Sequence, residues 1–93
     1  MADRLISVTA YTTLDLVDAV AKSHEFTEET YGIVNATSPR KNPDVVQLQF
    51  ELDNMTEEYL PAHMDEYKLT PEQARTLAAD LEKHADKVEA HLE

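Results

Sequence analysis

Cysteine and tryptophan are absent from the 93 residues, glycine occurs once, and lysine and arginine together number eight. Each shortage closes off a chemistry. Without cysteine there are no disulfides, no thiol nucleophile and no thiolate zinc site. A single glycine, Gly32, rules out the phosphate-cradling loops of P-loop and dinucleotide-binding proteins, which need several backbone positions free of Cβ. No run approaches 18 apolar residues, and the opening MADRLISVTAYTT has neither a basic lead-in nor an apolar stretch, so export and membrane-insertion signals are not expected and a cytoplasmic setting is.

What is abundant is negative charge. Nineteen Asp and Glu against eight Lys and Arg give a formal charge of −11, spread along the chain. Nucleic acid is held mainly by cations that neutralise phosphates, so neither a nucleic acid nor a membrane surface is an expected partner. With 42% hydrophobic residues the chain has the means to fold, and its length suits one domain, residues 1–93. The terminal Leu92-Glu93 matches a common cloning junction and is given no structural weight. A dense acidic shell suits a salt-rich interior, where the Debye length falls to about 3 Å at 1 M and repulsion is screened.

Hydrophobic periodicity predicts an α+β fold of order β-α-β-β-β-α, an antiparallel sheet of three to four strands with two helices packed on one face. Leu5 to Tyr11 alternates as a strand, and Thr12 or Thr13 is placed to cap a first helix carrying Leu16, Val17 and Val20. HEFTEET, residues 24–30, reads as a connector. Residues 31–37 and 45–53 read as strands; in the second, Val46, Leu48, Phe50 and Leu52 are expected to face inward and Gln47, Gln49 and Glu51 outward. A capped turn is expected from Thr56 to Leu60, then a short strand at 65–69. Thr70-Pro71-Glu72-Gln73 is a capping box with proline at the first helical position, opening a helix to about His91. Its stripe of Ala74, Leu77, Ala78, Leu81, Ala85 and Val88 is expected to lie on those four inward side chains.

No catalytic constellation emerges. Ser7, Ser23 and Ser38 sit in no nucleophile elbow. The neighbouring carboxylates, such as Glu28-Glu29 and Glu57-Glu58, read as solvated surface. Among the histidines, His84 and His91 lie two turns apart, about 10 Å along a helix, too far to share an ion. A metal or small-ligand module using His63, Asp65 or His84 is an alternative; so is an acidic mimic of nucleic acid that binds a basic protein. No catalytic, cofactor or metal residue is assigned. One stretch is singled out as an interaction loop: in SPRKNPD, Pro39 and Pro43 stop the flanking strands and present Arg40 and Lys41 at a hairpin tip.

AYTTLDLVDA, TSPRKNPDVVQLQFELDN and LTPEQARTLAADLEKHA together resemble a family of small, acidic, uncharacterised proteins of halophilic archaea. The resemblance implies a salt-rich cytoplasm and no assigned activity. The expectation is therefore a non-enzymatic interaction or accessory protein, a homodimer with a further protein partner possible, and without cofactor.

Overall fold

The structure, a computed structural model, describes residue 6, residues 8–52 and residues 63–93. Its elements are β1 (Leu14–Lys22), β2 (Thr27–Thr37), β3 (Val46–Leu52), β4 (Met64–Leu69) and α1 (Pro71–Leu92). The strands form a four-stranded antiparallel meander, in the order β1-β2-β3-β4. The α+β class and the antiparallel sheet hold, but the order and the two-helix layer do not: among the described residues there is one helix, after the last strand.

The segment expected to be the first helix is strand β1. Its register against β2 shifts between Leu14 and Val17 and is unbroken from Val17 to Lys22, where Val17, Ala19 and Ala21 turn inward while Leu16 and Val20 stay exposed. Apolar residues on both faces of the strand imitate the spacing of a helical stripe. Of the strand expected at Leu5–Tyr11, Leu5 and Ser7 lie outside the described residues; near its end a turn brings the Thr12 N–H to the Thr9 carbonyl at 3.2 Å, while Ile6 is buried. Residues 24–26 form the β1–β2 loop, and the Ser23 hydroxyl accepts the N–H groups of Glu25 (3.1 Å) and Phe26 (3.2 Å). The turn expected at Thr56–Leu60 lies outside the described residues.

Strand β3 is where the sequence reads most cleanly and where its faces are read wrongly. Val46, Leu48, Phe50 and Leu52 are only half-buried, whereas Glu51, expected outside, is buried. Ile33 pairs with Glu51 in register and is the most deeply buried side chain, and the Ile6 N–H donates to Glu51 Oε1 at 2.7 Å. The chain before β1 thus covers the face that carries the glutamines. A polar ladder crosses that face: Asn35 Nδ2 donates to Gln49 Oε1 (3.2 Å) and Gln49 Nε2 to Glu66 Oε1 (2.8 Å). Thr13 extends it toward β1, its N–H reaching Asn35 Oδ1 at 3.2 Å. These bonds satisfy polar groups that partial burial takes from water.

Gly32 is where β2 must stay bare. A Cβ there would lie 3.3 Å from the Glu51 carbonyl oxygen, a close approach between two paired backbones.

Candidate functional site

Helix α1 begins as its sequence dictates. Thr70 is extended (φ −68°, ψ 161°), its hydroxyl accepts the Gln73 N–H at 3.1 Å, and the Gln73 side chain accepts the Thr70 N–H at 2.9 Å. Pro71 supplies a preset φ where a donor is not needed. Thr70 alone separates β4 from α1. The cap therefore fixes the direction in which the helix leaves the sheet.

That direction takes it away from the sheet. None of the 22 residues of α1 is buried, and the sheet meets it chiefly through β4, the strand that leads into it. The expected packing of Ala74 to Val88 on Val46, Leu48, Phe50 and Leu52 does not occur within one chain. Leu81, Val88 and Leu92 are 63%, 56% and 76% exposed. In proteins most helical stability comes from packing of an apolar face.

The other residues singled out from the sequence are placed as follows. Arg40 and Lys41 are exposed in the β2–β3 connection, as expected. Asn42 there takes φ 51°, a left-handed conformation that asparagine tolerates, and the Asp44 N–H reaches the Asn42 carbonyl at 2.8 Å across Pro43. His63 Nε2 lies 3.5 Å from Asp65 Oδ2 at the exposed start of β4. His84 stands exposed on α1, far along the chain from that pair, and no cluster of three His, Asp or Glu able to hold a metal occurs among the described residues. Tyr11, Tyr31 and Tyr67 are exposed, and Tyr67 meets the edge of Phe50 at 5.9 Å.

Two features were not legible beforehand. An open hollow of ≈ 430 Å³ lies over β1 and β2, lined by Asp18, Ala19, Val20, Glu29, Thr30 and Tyr31. The Thr30 hydroxyl is buried there without a hydrogen-bond partner. Neither carries a signal in the sequence, because pairing Asp18 with Tyr31 and Ala19 with Thr30 depends on strand register. The described helix is not long and apolar enough to cross a membrane.

Comparison with known proteins matches the chain, over residues 1–90, to a family of unknown function. No curated protein and no solved structure matches.

Proposed function

The chain belongs to DUF6360, a family of unknown function, and we propose that it acts without catalysis, as a homodimeric interaction or accessory protein of a salt-rich cytoplasm. The observation that carries this reading is the bare apolar stripe of α1: 22 residues in helical form with no side chain buried. A small domain that leaves such a face open completes its core by association.

The acidic shell supports the salt-rich setting. At −11 per chain, folding gathers like charges whose repulsion high salt screens. Sedimentation in molar KCl over a range of concentrations tests the proposal. The expected species has twice the 10.5 kDa chain mass, and a single-chain mass throughout overturns it.

A further inference from the structure

Granting that reading, we infer that the dimer is held by α1 paired with α1 of a second copy, side by side and antiparallel. Within the stripe, Ala74, Ala78, Leu81, Ala85 and Val88, followed by Leu92, recur at alternate steps of four and three, the a and d spacing of a seam between two helices, and Leu77 lies beside that seam. One row of the seam holds Ala78, Ala85 and Leu92, and the other Ala74, Leu81 and Val88.

The order of sizes along those rows selects the direction. In an antiparallel pair each residue of one row faces a residue of the other. Ala78 then meets Val88 of the second copy, Ala85 meets Leu81, and Leu92 meets Ala74, all in one register. Every layer sets an alanine against a larger side chain, which fills space evenly and lets the two backbones lie close. A parallel pair would stack like on like. Its Ala74, Ala78 and Ala85 layers would be underfilled while Leu81, Val88 and Leu92 met their own copies, holding the axes apart.

Charge selects the same direction. Residues 71–92 carry five carboxylates and three of the eight basic residues, a net of −2, and residues 1–70, which precede the helix, carry −8. Because Thr70 alone joins β4 to α1, each sheet sits at the start of its helix. Parallel pairing would bring these two −8 portions to the same end. Antiparallel pairing sets them at opposite ends of a rod about 30 Å long. Beside the seam it brings Arg75 to Glu89 of the second copy twice, and Glu82 to its own counterpart and His84 to its own counterpart once each. Two opposite-charge pairs thus flank one contact between like carboxylates.

A cysteine-free chain makes the test clean. Ala78→Cys and Val88→Cys chains, distinguishable by mass, are mixed at equal concentration in molar KCl and oxidised. A disulfide needs Cα atoms within about 7 Å. The expected product is the mixed species, since Ala78 and Val88 share a layer. The Val88→Cys chain alone is expected not to cross-link with itself, because antiparallel pairing sets the two copies of that residue ten positions, about 15 Å, apart along the axis. Ready self-cross-linking of Val88→Cys means parallel pairing and overturns the inference. A dimer by sedimentation that cross-links through neither combination means another surface holds it, which overturns the inference and leaves the proposed function standing. A single chain by sedimentation overturns both.

Discussion

Truncating Leu81 to alanine separates folding from association. In a packed core the change from Leu to Ala costs about 2–5 kcal/mol of stability. Here the side chain is 63% exposed within one chain and rests on no buried neighbour of its own helix. Alanine is also the best helix former, so α1 itself is not weakened. The single chain should therefore lose no more than about 0.5 kcal/mol. Fully burying a leucine contributes about 1.5–3 kcal/mol; for the exposed share of Leu81 this gives about 1–2 kcal/mol per copy, and about 2–4 kcal/mol per dimer. With about 1.4 kcal/mol per tenfold change, Kd should rise roughly 30- to 700-fold. Sedimentation equilibrium reads the affinity, and urea unfolding at concentrations below Kd reads the stability of the single chain. An unchanged Kd together with a loss of several kcal/mol from the single chain would show that Leu81 belongs to a core within its own chain, and the reasoning would fail.

Four further outcomes are expected. Thr70→Ala removes one half of the capping box and should cost about 1 kcal/mol of helix stability, seen as lower ellipticity at 222 nm; an unchanged signal would mean the helix is held from elsewhere. Thr30→Val deletes a buried hydroxyl that has no partner and should raise stability by about 1–2 kcal/mol, so a lower midpoint in urea contradicts the assignment. Glu51→Ala leaves the Ile6 N–H without the acceptor it holds at 2.7 Å, at a cost of about 1–3 kcal/mol; hydrogen exchange at the Ile6 amide should quicken, and protection equal to the unsubstituted chain refutes the contact. Lowering salt from 1 M to 0.1 M lengthens the Debye length from about 3 Å to about 10 Å, so a chain of −11 should melt at a lower temperature, and a flat profile would remove the salt-rich setting.

The parts of the fold that were legible are those fixed by local chemistry. The Thr70–Gln73 box announced α1 to within a residue at each end, and alternation announced β3 and β4. Proline and asparagine at positions 39, 42 and 43 marked the β2–β3 connection that displays Arg40 and Lys41. What failed depended on partners distant in sequence. β1 was mistaken for a helix because Leu16 and Val20 lie on its exposed face and Val17 on the other, a spacing that imitates a helical stripe. Glu51 was assigned to solvent because nothing nearby in the sequence shows that Ile6, 45 residues earlier, reaches it. The stripe on α1 was read as a face that the same chain's sheet would cover, and that sheet does not cover it. Periodicity, however, says only that a face will be covered, and the assumption that the same chain's sheet would cover it was the error.

That error bears on how acidity and association coexist. A small protein carrying −11 repels its own copies over the whole of its surface. If the dimer were built sheet to sheet, each increment of binding would have to overcome two portions of −8 at close range. A helix that leaves the sheet at a rigid cap, with charge of both signs beside a neutral seam, sets those portions about 30 Å from each other, about three Debye lengths at 0.1 M salt. Folding of the sheet and pairing of the helices then respond differently to salt. The first gathers carboxylates within a few strands and depends on screening, whereas the second rests on alanine–leucine and alanine–valine contacts that salt screens little. On this account the −2 of α1 against the −8 of residues 1–70 is the charge arrangement that an acidic, self-associating protein requires.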